Sequence, residues 1–383
     1  MSDKKNIFSE EIELSEIVLN KTNQAFEMIK QEDAGYMKKT NIRGNKFFKI
    51  QAAAIAGVCI LAVSSISAVA AIRHYWGRGM NGNIQASDIQ QQVLTDSGVA
   101  TVFRENPDYS SLAVTENGIT IAPDTVIVDD RFAYMSFSIS GYSVADGEEP
   151  GFETINVYEG DHLEYDGSRV NMSGTMYDGI ITDENGTLVY EDGSPLEHYE
   201  DGSTISHYTD SNGDMEYFIR ASVADENDSL LGKTLHVDFK NLGIESKTGF
   251  TSSVEGNWNF EIILSDVSSA RDIKVGQKVE GTGFVMENIS ISPISMKVNY
   301  SVSEAPEINE DDLGIPEVKG VVLKDGTRIP YLTGGSGIGY TDSTKSNAYQ
   351  IAGYNRVIDV DEIAALIVLT SYENEKVEIP ISK

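Results

Sequence analysis

The chain has one cysteine in 383 residues, Cys59, so no intrachain disulfide can form and a disulfide-stapled secreted scaffold is excluded. Histidine is scarce as well. The five present (His74, His162, His198, His207, His236) include no HExxH pair and no two at metal-ligand spacing. No GxSxG elbow occurs, and the glycine-rich stretch TGGSGIGY (residues 333–340) lacks the Lys-Ser/Thr ending of a phosphate loop. It is expected to be a surface loop. Cations are short too: 29 Lys and Arg stand against 60 Asp and Glu, a formal charge of -31. Such a field repels nucleic acid and anionic polymers. These absences point away from an enzyme and imply no cofactor.

One long absence of charge is itself a feature. From Ile50 to Ile72 there is no charged side chain. As a helix, those residues would cover roughly 35 Å, enough for a hydrocarbon core of about 30 Å. A core helix of a soluble domain would show a polar face, and this run has none. A signal peptide would start earlier and be shorter, although Ala68-Val69-Ala70 has the small-x-small pattern of a cleavage site. Cys59 follows Val58 rather than a small residue, against a lipoprotein site. The run is therefore expected to be a transmembrane helix over 50–72.

Orientation follows from the flanking cations. Lys38, Lys39, Arg43, Lys46 and Lys49 precede the run with no acidic residue among them, whereas Arg73 and Arg78 follow it. The positive-inside rule places the N-terminus in the cytoplasm and residues 73–383 outside, with Tyr75 and Trp76 at the outer headgroup level. The charge divides at the same place. Residues 1–49 hold 9 basic and 8 acidic side chains, and the remaining 334 hold 20 and 52, a net of -32.

Residues 10–32 carry apolar side chains at three- and four-residue spacing, an amphipathic helix with no domain of its own to pack on. Its face of Leu14, Ile17, Val18, Phe26, Met28 and Ile29 is a candidate partner-binding surface. The alternatives are a helix on the inner leaflet or a disordered tail. Beyond the apolar run, residues 86–100 suggest a short helix ending near Gly98, after which the period changes to two. Ile119, Ile121, Val126, Val128, Phe132, Tyr134, Ser136 and Ser138 alternate with other side chains, and Asn117-Gly118 supplies a turn. Further strands are expected at 154–158, 215–223, 234–239, 258–264, 278–286, 295–302, 318–323, 364–370 and 377–381. Asp-Gly and Asn-Gly pairs punctuate them. Many short strands with regular turns imply antiparallel sandwiches.

The expected organisation is a cytoplasmic helix and basic linker (1–49), a spanning helix (50–72), a juxtamembrane helix with a first β domain (73–250), and a C-terminal immunoglobulin-like β domain (251–383). The boundary is placed in the Ser/Gly/Thr-rich stretch 247–256. The segment YTDSNGDMEY sets Asp210, Asn212 and Asp214 at alternate positions, as the first ligands of a calcium loop would be. Met215 and Ala221 stand where such a loop needs Gly and Glu, so an acidic turn feeding a strand is the better expectation.

Several stretches resemble known families. EIVLNKTNQAFEMI, the run ending AVAAI, Trp76, Gly79-Met80, the cluster Gln90-Gln91-Gln92 with Leu94 and Gly98, ENGITI, DDRFAYMSFSISGY and EEPGFETINV are in this order. They resemble a family of Gram-positive single-pass membrane proteins catalogued as DUF four-one-seven-nine. GNWNFEIIL and ISISPISMKVNY resemble the immunoglobulin-like domain catalogued as DUF fifty-six forty-three. Residues 155–250 carry no motif of either. Members are described as anti-sigma factors or sigma-factor regulators, so the resemblance implies a membrane-anchored regulator whose residues 1–45 bind an alternative sigma factor. It carries over no catalytic residue. The rival expectation is a cell-surface structural or ligand-binding protein without a signalling role.

Overall fold

The computed structural model describes residues 76–106, 108–160, 170–303, 313–370 and 376–381. The amphipathic segment, the basic linker and the apolar run 50–72 lie outside the described residues. Among the described residues no helix is long and apolar enough to cross a membrane.

The described chain is mainly β, in two successive antiparallel sandwiches. Helices α1 (Arg78–Asn83) and α2 (Asp88–Asp96) lead into eleven strands. These are β1 (Ala100–Val102), β2 (Val114–Glu116), β3 (Ile119–Val128), β4 (Phe132–Ser140), β5 (Glu149–Glu159), β6 (Val170–Met176), β7 (Ile180–Thr182), β8 (Leu188–Tyr190), β9 (Met215–Val223), β10 (Thr234–Glu245) and β11 (Thr251–Ile263). A six-stranded sheet runs β1-β3-β4-β9-β6 with β2 also on β3, and it faces the three-stranded sheet β11-β10-β5. Strands β7 and β8 form a separate hairpin. Asn117 and Gly118, both at positive φ (48° and 85°), make the tight turn that joins β2 to β3.

Aromatic rings fill the space between these two sheets. Phe137 lies edge-on to Phe239 at 5.0 Å, Phe152 is 4.7 Å from Phe239, and the buried Trp258 donates its indole N–H to the Ile119 carbonyl. Central strands β3 and β4 are buried on both faces, because α1, α2 and the segment around them cover the outer face of the six-stranded sheet. That is why the even positions of β4 carry Tyr134, Ser136 and Ser138: a covered but polar face.

The second sandwich holds β12 (Arg271–Lys278), β13 (Phe284–Ile291), β14 (Ser295–Val302), β15 (Glu317–Leu323), β16 (Arg328–Ile329), β17 (Thr333–Tyr340), β18 (Asn347–Tyr354), β19 (Ile363–Leu369) and β20 (Lys376–Pro380). Its sheets run β12-β13-β14-β18-β17 and β16-β15-β19-β20, around a core that includes Phe284, Met286, Tyr300, Val321 and Leu366.

A buried polar clasp joins the sandwiches. The Asp129 carboxylate, in the β3–β4 turn, accepts the Ser292 and Ser295 hydroxyls at 2.5 Å each and the N–H groups of Arg131 and Phe132 at 2.9 Å. Tyr134 donates its hydroxyl to the Ile294 carbonyl and accepts the Tyr354 N–H. Lys297 pairs with Glu226 at 2.7 Å.

Three expectations are corrected here. The boundary at 250/251 falls inside the β10–β11 hairpin, whose registered pairing from Thr234↔Ile263 to Ile244↔Thr251 keeps both strands in the first sandwich. The chain passes to the second sandwich between Ile263 and Arg271. The Ser/Gly/Thr-rich stretch 247–256 is the end of the hairpin loop and the start of β11. Residues 278–286 are two strand ends around a turn, where Gly281 has φ +75°. TGGSGIGY is the edge strand β17, paired to β18 from Thr333↔Tyr354 to Tyr340↔Ala348.

Candidate functional site

The sequence-predicted partner residues (Leu14, Ile17, Val18, Phe26, Met28, Ile29) and the topology-setting cations (Lys38, Lys39, Arg43, Lys46, Lys49) lie outside the described residues. Within them, the arrangement with most chemical content is the seat of the strap formed by residues 76–85. Three residues separate the strap from Ile72.

Trp76 is fully buried in the first sandwich, which corrects its expected place at the membrane surface. Its backbone N–H donates to Gln91 Oε1 at 2.9 Å, and Gln91 in turn donates to Asn81 Oδ1 and the Ala86 carbonyl. This accounts for part of the glutamine cluster. Its neighbour Gln90 closes a capping box with Ser87 at the start of α2 and reaches the Val357 carbonyl of the second sandwich at 3.1 Å.

Under the strap lie two carboxylates and one cation. Glu216 of β9 accepts the N–H groups of Arg78 (2.8 Å) and Gly79 (2.6 Å), so a carboxylate from another strand caps the first turn of α1. Asp124, in the bulge of β3, is bound in bidentate fashion by Arg104. Burial, with the nearby Asp124 charge, pushes Glu216 up from 4.5 to about 7 against the pull of its backbone donors. Arg78 grips both oxygens of Glu191 (2.9 and 2.8 Å), donates to the His207 carbonyl and lies 5.0 Å over the Tyr177 ring. Gln85 then exchanges backbone hydrogen bonds with Asn355 (2.9 Å) and Val357 (2.8 Å) of the second sandwich.

The seat binds a proton near neutrality, and the sign of its effect on stability follows. Folded Glu216 holds its proton to about pH 7, whereas the unfolded group releases it near 4.5. The folded state therefore binds more protons across that window, and this group's contribution to stability falls as pH rises through it. Thermal unfolding measured from pH 4.5 to 7.5 is expected to show a steeper decline in wild type than in Glu216→Gln. Equal slopes would remove Glu216 from this role.

The remaining candidates resolve into structure. Asp210 spends its oxygens on its own turn, accepting Asn212 N–H at 2.7 Å and Asp214 N–H at 3.0 Å, and β9 starts at Met215. Among the described residues no cluster of three His, Cys, Asp or Glu side chains is placed to hold a metal ion. His207 stacks on Tyr190 at 4.5 Å and His236 on Tyr158 at 5.1 Å. His74 and His162 lie outside the described residues.

The seat itself was not foreseen. Neither was the tandem YEDGSPLEH (190–198) and YEDGSTISH (199–207) that supplies Glu191 and His207 to it. Both units form the same turn: Tyr190 and Tyr199 donate to the carbonyls of Ser194 and Ser203, and Asp192 and Asp201 accept the N–H of the same serines. Self-similarity at a nine-residue spacing was the available signal.

No family model matches the chain, and no curated protein matches it. Among solved structures it is similar to a conserved domain protein from Bacillus anthracis, at 16% identity over 70% of this chain and 80% of that one, with a TM-score of 0.40. It is also similar to the CupB6 tip adhesin from Pseudomonas aeruginosa, at 10% identity over 72% of this chain and 93% of the other, with a TM-score of 0.15. Neither likeness is close enough to carry a function.

Proposed function

We propose that the chain is a single-pass membrane regulator of the anti-sigma-factor kind. In this reading residues 50–72 span the membrane, residues 1–45 bind an alternative sigma factor through Leu14, Ile17, Val18, Phe26, Met28 and Ile29, and residues 73–383 stand outside as a sensing region. That region would end in an immunoglobulin-like sandwich, with the bilayer and the cytoplasmic partner as its contacts and nucleic acid excluded by charge. One observation supports signalling over mere display. Three residues separate the apolar run from a fully buried tryptophan whose strap is bonded to both sandwiches. A surface protein that only displays its domains has no use for so short a junction. A sensor needs one, since a change outside must reach the span.

The test has two parts. A reporter fused after Lys383 is expected to be active only outside the cell, and cytoplasmic activity would overturn the topology. Full-length protein in detergent is expected to capture its sigma factor, and the triple variant Leu14→Asp, Val18→Asp, Met28→Asp is expected to lose it. Burying three unpaired charges costs well over ~3 kcal/mol, more than a hundredfold in affinity. Capture of nothing by either form would favour the surface-protein reading.

A further inference from the structure

A cleft of about 500 Å³ opens where the strap, the β7–β8 hairpin, the outer face of the six-stranded sheet and the second sandwich meet. Its lining departs from the rest of the chain. Residues 50–383 hold 52 acidic against 20 basic side chains (60 less 8, and 29 less 9), yet no Asp or Glu lines this cleft. One cation does, Arg220 of β9.

Arg220 is half-buried and donates to the Gly334 carbonyl at 2.6 Å. It makes no ion pair with a carboxylate of the described residues, whereas Arg78, Arg104, Lys233 and Lys297 all do. A Cβ on Gly335 would overlap its guanidinium. Gly335, one of the glycines that disguised β17 in the sequence, leaves that strand room to lie against the cation. Around Arg220 the cleft offers Phe218 and Tyr134 at its floor and Leu188 and Tyr331 at its rim, 56% and 49% exposed. Ser173, Thr175 and Asn83 add hydroxyl and amide groups.

We infer that this cleft binds a short peptide or amino-acid derivative ending in a free carboxylate beside a bulky apolar side chain, with Arg220 holding the carboxylate. The volume lies within the roughly 300–1,000 Å³ of small-ligand sites. The guanidinium fork matches a carboxylate, and a single cation neutralises a single negative charge. A phosphate dianion would stay half-neutralised inside a strongly acidic protein. The apolar rim suits a Leu- or Phe-like side chain, and the hydroxyls and amides suit peptide groups. The inference is independent of membrane topology, because the cleft lies wholly within the described residues.

Calorimetric titration of the full-length protein in detergent micelles tests it, with N-acetyl-alanyl-leucine and N-acetyl-alanyl-phenylalanine as probes, each as the free acid and as the C-terminal amide. The free acids are expected to bind at least about tenfold tighter than the amides, since a charged hydrogen bond is lost. Arg220→Gln is expected to abolish that preference. Tyr331→Ala, at an exposed position, is expected to weaken acid and amide together and keep the preference. Equal binding of acid and amide to wild type, a preference that survives Arg220→Gln, or no binding by either acid would overturn the site. If Arg220→Gln fails to fold, the acid–amide ratio in wild type and in Tyr331→Ala decides.

Discussion

Replacing Asp129 by Ala is expected to destabilise the described region by about 3–5 kcal/mol and to lower the midpoint of thermal unfolding by on the order of 10 °C. The carboxylate is buried, and four donors converge on it: two hydroxyls from the second sandwich and two backbone N–H groups of its own turn. Alanine leaves those donors without an acceptor in a site closed to water. Each unsatisfied buried donor costs about 1–3 kcal/mol, softened where a serine hydroxyl can turn to another acceptor. Asn is the informative companion, because its carbonyl oxygen still accepts while its amide nitrogen opposes a donor. It should lose less than Ala. Calorimetric scans of the three proteins check this, and an Ala variant within 2 °C of wild type would show that the clasp contributes nothing.

The second large effect is expected at Gly77. Its φ of -57° suits any residue, so the constraint is space alone. A Cβ there would overlap Asp124 Oδ2 and come 2.5 Å from Glu216 Oε2 and 2.8 Å from Arg104 Nη2. Asp124 cannot step aside, being buried and ion-paired with Arg104. In Gly77→Ala the strap must therefore lift, which withdraws Trp76 from the core and breaks the bonds to Gln91 and Glu216. Re-exposing an indole of roughly 150–250 Å² costs about 4–6 kcal/mol at 25 cal/mol per Å². Detachment of the strap is cheaper than unfolding of the sandwich, so a folded protein with a loose strap is expected. In a Trp258→Phe background, Trp76 is the one remaining tryptophan. Its emission should shift to the red and become accessible to iodide in Gly77→Ala, while the β signal in circular dichroism persists. Emission that stays blue and shielded would refute the steric account.

What could be read in advance depended on whether a residue's role was local. Alternation and turn chemistry are local, and β9 and β14 have the expected bounds, as does the turn at Asn117-Gly118. Strand β17 failed because four glycines interrupt its alternation, and two of them, Gly334 and Gly335, lie against Arg220 of another strand. Strand β12 was missed because its alternation is short: only Ile273 and Val275 turn toward the core, between exposed Asp272, Lys274 and Gly276. Trp76 was assigned to the membrane from its position after the apolar run. Its actual place is set by Gln91, fifteen residues on, and by a sheet assembled from strands far along the chain. The seat was invisible for the same reason: Arg104, Asp124 and Glu216 are far apart in sequence, and no spacing rule unites them.

The pairing of Gln85 with the second sandwich has a mechanical meaning. Gln85 and Arg356 form a parallel bridge, with hydrogen bonds on both sides of Gln85 and its side chain tied to the Thr182 carbonyl. Tension drawn along the chain from Trp76 runs lengthwise through this bridge, and a bridge loaded lengthwise is sheared. Its bonds stretch together and cannot open in turn, as they would if peeled from one end. The tether is also spliced to two bodies, through Glu216 to one and through Asn355 and Val357 to the other. Within ten residues, 76–85, the strap is therefore fastened to both sandwiches.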